Sequence, residues 1–512
     1  MKDLSQVDYF EPVDKLAEIL CQKTQSTDPQ FFRVMTSYYL TKVASMMRCN
    51  IQTMDRGIIP VSMYALNLAL SGAGKGHSTN IVEEQVINQF KTRFLNSTFP
   101  EMSKINLAKI ANLRAAKHGV GSDHELEVTT AEFENLGTLA FSFDSGTPAA
   151  IKQMRHKLLM ANAGSMNMEI DEIGSNMLGN VDALITFLEL YDIGKLKPKL
   201  TKHTKENQRN EDIDGRTPTN MMLFGTPSKL LNGGREEEEF YSMLEIGYAR
   251  RCIFGYSRTI NKDTSMSALD VYNMQQNSTG GVYIQQLSDK LAKLSSRIYF
   301  NTLLTMDKPV TLLMIEYQLE CERKAQTFAE HQEVQQAELS HRYFKALKLA
   351  GSYAFIDNSP EILEEHYYAA MKLVEDSGRA FDRILTRDRN YVRLAKYIAS
   401  TGHEVTQADI QEDLPFYKGG EGHRRDLLNL AIAWGYKNNI IIKKTYADGI
   451  EFLSGESLKK TNLNKLIVSY SQHIATDYEN TRIAWGKIST LFTAPGYHWI
   501  NHHLKEVPDD AA

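Results

Sequence analysis

Cysteine is scarce in this chain: four among 512 residues, at Cys21, Cys49, Cys252 and Cys321. They form no C-x-x-C pair and no metal-ligand spacing, which argues against a zinc ribbon or a disulfide scaffold. Reduced, packed thiols in a cytosolic protein are the expectation. No run reaches 18 apolar residues, so no membrane span is expected. The opening residues MKDLSQVDYFEP carry no apolar signal core, and the expected location is the cytoplasm. Strong net charge is also missing. At −5 the overall field does not favour nucleic acid, and such a partner would have to be met by local basic patches. There is no internal repeat and no low-complexity tract. With 42% hydrophobic and 24% charged residues, the chain can bury a sizeable core. Its length allows about three domains.

What is present centres on Asn67–Asn80, NLALSGAGKGHSTN. Leu66, Leu68 and Leu70 alternate as in a buried strand. Ser71, Gly72, Ala73 and Gly74 make a turn whose backbone can approach a ligand, Lys75 follows at once, and a helix is expected to begin near Ser78. A strand, glycine loop and helix start of this kind cradles phosphate through loop N–H groups, the helix dipole and the lysine. Against the pattern G-x-x-x-x-G-K-[ST], Ala69 replaces the first glycine and Gly76 replaces the metal-binding hydroxyl. Gly76 and His77 complete the expected phosphate-binding stretch. Ser78 or Thr79 is expected to supply the missing hydroxyl to Mg2+ from a shifted position.

Around this stretch, residues 51–260 alternate strand and helix signals, as a parallel sheet with crossover helices does. Thr147 and Pro148 form an N-cap and first helical position, with a helix expected to run to about Ala161. Asn167–Glu172 reads as a short strand ending in two acids. Asp171 is assigned to magnesium and Glu172 to the attacking water. Thr219–Thr226 reads as another buried strand ending in a polar residue. Thr226 is the candidate to sense a terminal phosphate, with Asn220 second. Arg250 and Arg251 precede a further strand, and Arg251 is expected to reach a neighbouring subunit's nucleotide as an arginine finger. Lys195, Lys197, Lys199, Lys202, Lys205 and Arg209 make a basic excursion that fits either a solvated loop or contact with nucleic-acid phosphates.

Flanking regions are helical. Residues 1–50 carry a stripe at Phe32, Met35, Tyr39, Val43 and Met46, read as a packing helix. Residues 261–385 are helix-rich with no catalytic constellation. Residues 386–455 read as three helices and a β-hairpin turning at Asp448-Gly449, the pattern of a winged helix. There Arg424, Arg425 and Lys443 are candidates for DNA contact, although such modules also bind proteins. Residues 456–512 form a partly helical tail.

The order NLALSGAGKGHS, SGTPAAI, MEIDEIG, TNMMLFGTPSKLL and GYARRCIFGY, over about 200 residues, resembles a family of phage, prophage and mobile-element ATPases related to primase–helicase proteins. The resemblance implies an α/β P-loop NTPase core of RecA-like or AAA+-like type, using ATP and Mg2+, in a replication protein of the host cytoplasm. It implies Lys75 as the phosphate lysine, Asp171 and Glu172 as the acidic pair, and Arg251 as a finger within a homo-oligomeric, hexameric ring. Single-stranded DNA and a phage primase or polymerase are the implied partners. No primase half is visible in the sequence. The expected function is an ATP-dependent DNA motor, a replicative helicase. The alternatives are an ATP-driven remodeller of protein complexes and a nucleotide-switched assembly protein.

Overall fold

Four apolar segments form one parallel sheet: β1 (Tyr64–Ala69), β2 (Met166–Ile170), β3 (Thr219–Gly225) and β4 (Cys252–Ser257). Their spatial order is β2-β3-β1-β4. The computed structural model describes residues 2–173, 181–196, 213, 215–257, 265–275, 278–386, 388–447 and 449–457. A single parallel bridge, Phe143 to Met168, continues the sheet beyond β2. Register aligns Ile170 with Leu223 and Leu223 with Leu66. The carboxyl ends of β1, β2 and β3 therefore lie along one edge. The basic stretch containing Lys197, Lys199 and Lys202 lies outside the described residues, as do Asp448 and the tail from 458 onward.

A parallel sheet must be covered on both faces, and strand alternation assigns each cover. Tyr64 on one face donates its hydroxyl hydrogen to Phe187 O of the Val181–Ile193 helix at 2.5 Å. Asn67 on the other face donates to Phe31 O of the Pro29–Met46 helix at 2.8 Å. That second helix is buried on nearly all sides, the condition of a helix inside a core rather than on its surface. Its outer side meets the Arg342–Ile356 helix, where Ser37 and Tyr353 hydroxyls lie 3.2 Å apart.

This layering corrects the expected domain division. Residues 1–50 and 261–385 are not separate regions around a 51–260 core. Met1–Leu231 and Arg235–Thr386 make one compact unit, with one large apolar cluster drawn from all three regions and a small one at Leu107, Ile110 and Met160.

The Arg342–Ile356 helix is buried along its whole length, yet carries three cations. Glu338 receives Arg342 at 2.8 Å and Lys345 at 2.6 Å. Among the described residues Lys348 has no carboxylate in ion-pair distance. Its Nζ is bonded to Tyr191 O at 2.5 Å, Ser62 Oγ at 2.8 Å and Pro60 O at 3.2 Å.

The second unit comprises Asn232–Gly234 and Arg387–Ala512, and its described part matches the expected three helices and hairpin. Helices Asn390–Ser400, Gln407–Asp413 and Glu421–Lys437 pack with an antiparallel sheet. Its strands are β5 (Val405–Thr406), β6 (Ile440–Ala447) and β7 (Ile450–Ser457), with β7 in the centre. Thr406 and Asp409 cap the second helix reciprocally, Thr406 N–H donating to Asp409 Oδ2 at 2.8 Å and Asp409 N–H to Thr406 Oγ1 at 3.3 Å.

Burial pushes the Lys348 ammonium down to about 7, with Arg251 adding to the effect and Asp192 opposing it. The unfolded lysine holds its proton to a pH of about 10.4, so above pH 7 the unfolded state binds one more proton and stability must rise with pH. The difference in unfolding free energy between the wild type and Lys348→Met is expected to grow in favour of the wild type between pH 7.5 and 9.5. The slope should approach 1.4 kcal/mol per pH unit, about the value for one proton. Urea unfolding at four pH values measures it, and a flat difference would mean that Lys348 stays charged in the fold.

Candidate functional site

The carboxyl edge of the sheet is where strand ends leave backbone and side chains open to a ligand. After Ala69 the chain turns, with Ala73 N–H donating to Leu70 O at 3.2 Å. Gly72 and Gly74 have φ of 87° and 89°, the left-handed region that favours glycine. Gly74 is fixed a second way. A Cβ there would lie 2.5 Å from Thr24 Cγ2, so the end of the Glu11–Thr24 helix presses on the loop. The next helix begins at Lys75 rather than near Ser78. Its first N–H groups have no intrahelical acceptor, and Ser78 N–H is bonded to Gly74 O at 2.9 Å.

Lys75 spans the width of β3. Its Nζ lies 5.6 Å from the Phe224 ring centroid, donates to the Asp171 carbonyl oxygen, and stands 3.7 Å from Glu172 Oε2. Thr226, one residue past β3, donates to the same carboxylate: Oγ1 to Oε2 at 3.0 Å and N–H to Oε1 at 3.3 Å. The structure therefore brings four of the expected residues together: Lys75, Asp171, Glu172 and Thr226. It adds two that the sequence did not single out. Lys229 Nζ lies 3.7 Å from Glu172 Oε1, and Thr24 packs on Gly74. Pro227 at the first position of a short helix was the available signal for Lys229, since such a turn returns residue i+3 beside residue i.

Behind this edge lies a buried polar wall. Lys42, with a side chain 1% exposed, is paired with Glu169 at 2.5 Å and donates to Ser142 Oγ at 2.6 Å. Tyr38 donates to Glu169 Oε1 at 3.0 Å and Tyr39 to Glu83 Oε1 at 3.1 Å. Burial, followed by the neighbouring Glu169, pushes the Glu83 carboxyl above its ordinary range.

No protein-family model matches this chain, and no curated protein matches it. The assignment of roles therefore rests on the chain's own residues.

Several expected placements are corrected. Ser78 does not place its hydroxyl at the loop mouth. It lies two residues from Gly76, about 200° around the helix, and its hydroxyl is buried without a partner. Thr79 shares the Gly76 side, but its hydroxyl bonds back to Gly76 O at 3.0 Å and Lys75 O at 3.2 Å. Arg251 is not held free at the surface as a finger would be. It directly precedes β4 at the opposite edge of the sheet from Lys75, about 16 Å of strand away. It is buried and paired with Asp192 at 3.2 Å, and donates to Gly247 O at 3.3 Å. Asn220 is also remote from the edge. It is fully buried and donates to Asn167 Oδ1 at 2.9 Å.

Magnesium would find Asp171 exposed at the strand end and open space at Gly76, where a Cβ would meet nothing within 4 Å. Both fit an ion that keeps several of its waters. In the second unit, Arg424 is half-buried and Arg425 exposed, while Lys443 is paired with Glu456 at 3.3 Å.

Gly74→Ala is expected to lose about 2 kcal/mol, from the left-handed backbone and the Thr24 contact together. Adding Thr24→Ala should return part of that loss. Denaturant unfolding of the two variants checks both, and a single-variant loss under about 0.5 kcal/mol would show that the loop is not held this way.

Proposed function

We propose that this chain is a magnesium-dependent ATP hydrolase with a P-loop core of RecA-like or AAA+-like type, working as a DNA motor. The observation that carries the ATPase reading is the reach of Lys75 across β3 to Asp171 and Glu172, with Thr226 bonded to the same glutamate. A glycine loop, a lysine, two acids and a hydroxyl on one sheet edge are the parts that phosphoryl transfer to water requires.

Each residue then has a task. The loop N–H groups of Ser71–His77 and the Lys75 ammonium hold the outer phosphates and balance their charge. Asp171 would hold magnesium, whose chemistry is to neutralise charge building on the phosphate oxygens. Glu172 orients the attacking water and accepts its proton. Thr226 contacts the terminal phosphate through its hydroxyl. Its existing bonds to Glu172 tie that contact to the position of the base. A homo-oligomeric ring, hexameric by resemblance to the phage ATPases, belongs to the proposal with no arginine assigned to it.

The second unit supports a winged-helix reading through its three helices and hairpin. One observation there favours the remodeller as a second reading. From Asp388 to Ser457 the described Lys and Arg are balanced one for one by Asp and Glu. The third helix and hairpin also expose Leu430 at 52%, Tyr436 at 39%, Tyr446 at 71% and Ile450 at 51%. A charge-balanced surface with exposed apolar side chains suits a protein better than a phosphate backbone.

Lys75→Ala is expected to abolish ATP turnover. Glu172→Gln should bind ATP with near wild-type affinity and lose turnover by about 100-fold or more, as expected for removal of a general base. Turnover at wild-type rate in Lys75→Ala would remove the phosphate-site assignment. Turnover measured with and without single-stranded DNA separates the two uses: stimulation supports the motor, and indifference to DNA moves the reading to the remodeller.

A further inference from the structure

Glu172 sits between two ammonium groups from different elements. Its Oε2 is 3.7 Å from Lys75 Nζ and its Oε1 is 3.7 Å from Lys229 Nζ. At that distance neither lysine is hydrogen-bonded to the carboxylate. Among the described residues, the hydrogen bonds Glu172 accepts are from Thr226. Two cations are thus held near one anion without being committed to it.

Lys229 is placed firmly for an exposed residue. Its own N–H bonds to Thr226 O at 3.0 Å, and Pro227 and Leu230 on either side are buried. A Cβ on Gly225 would come within 2.4 Å of Leu230 Cδ1 and 2.9 Å of Leu68 Cδ2, so glycine lets the short helix close down on the end of β3. The side chain of Lys229 is 69% exposed. Among the described residues its one ion pair is with Glu172.

We propose that Lys229 is a second cation for the terminal phosphate of a nucleoside triphosphate, acting with Lys75, and that the Glu172 carboxylate keeps that phosphate's place until the triphosphate arrives. The proposal rests on the ATP-hydrolase reading above. A terminal phosphate carries more charge than a carboxylate and three oxygens instead of two, so it takes both lysines in the contest with Glu172. Displaced from them, Glu172 is free to accept a proton from water. A diphosphate ends one group short. It meets Lys75 through its β-phosphate and leaves Lys229 where it is. Lys229 is therefore the residue that distinguishes substrate from product.

The experiment compares Kd for ADP and for ATPγS, together with ATP turnover, in full-length wild type, Lys229→Ala and Lys229→Arg. Lys229→Ala is expected to weaken ATPγS by about tenfold, the worth of one charge-assisted contact. ADP should stay within about twofold, and kcat should fall. Lys229→Arg should recover most of the ATPγS affinity. Equal weakening of both nucleotides would make Lys229 a structural residue and overturn the proposal, as would no change in either. Wild type that binds neither nucleotide would sink the ATP-hydrolase reading itself. Wild type that binds both, beside an unaltered Lys229→Ala, would sink only the role of Lys229.

Discussion

The Lys42 ammonium is the constraint from which much of the first unit follows. It is almost wholly removed from water, and a lone charge there would cost several kcal/mol, about what an unpaired buried ion costs. Glu169 answers it from β2, with Ser142 and the rings of Tyr39 and Phe141 around it. This pair fixes the Pro29–Met46 helix on one face of the sheet in a single register. It also anchors β2 near its end, because Glu169 lies two residues before Asp171, which directly follows the strand. The position of the acidic pair at the sheet edge is therefore set partly by a lysine from the N-terminal helix. Removing Lys42 would leave Glu169 beside Glu83 with no cation between them, two acids competing for one proton.

Several of these features were legible in the sequence because their signals are local. The loop strand, the glycine turn and Lys75 lie within a dozen residues of one another. Thr147 and Thr406 cap helices three residues away, and β6 and β7 are neighbours in the chain that pair antiparallel. Thr226 could be picked out as a polar residue ending a buried run. The rest depends on partners far apart in the chain. The stripe Phe32, Met35, Tyr39, Val43 and Met46 predicts a one-sided packing helix, but Ser37, Thr41, Lys42 and Ser45 between them are buried as well. Their partners, such as Tyr353, Glu169 and Asn220, come from distant segments, so no periodicity exposes them. Arg251 misled for the same reason. An arginine before a strand looks free until Asp192, 59 residues earlier, is seen to hold it. The shift of the helix start from Ser78 to Lys75 has a simpler cause: Gly74 takes the left-handed conformation at the N-cap position, and no side-chain cap is needed.

The departure at Gly76 bears on how the proposed site would hold its metal. Where a hydroxyl would ordinarily stand beside the metal there is open space, and neither neighbouring hydroxyl is free to move into it without cost. Thr79 would have to give up its bonds to its own helix, and Ser78 would have to cross the helix. On the proposed reading magnesium is bound through Asp171, the phosphates and water, with one protein ligand fewer. Such an ion is held less tightly, and fixed ammonium groups must carry more of the terminal phosphate's charge. Lys75 and Lys229, already drawn to a single carboxylate, are the two cations at this edge in position to do so among the described residues. On that reading the absent hydroxyl at Gly76 and the lysine three residues beyond Thr226 bear on the same terminal phosphate, the first by leaving the metal one protein ligand short and the second by adding a fixed positive charge.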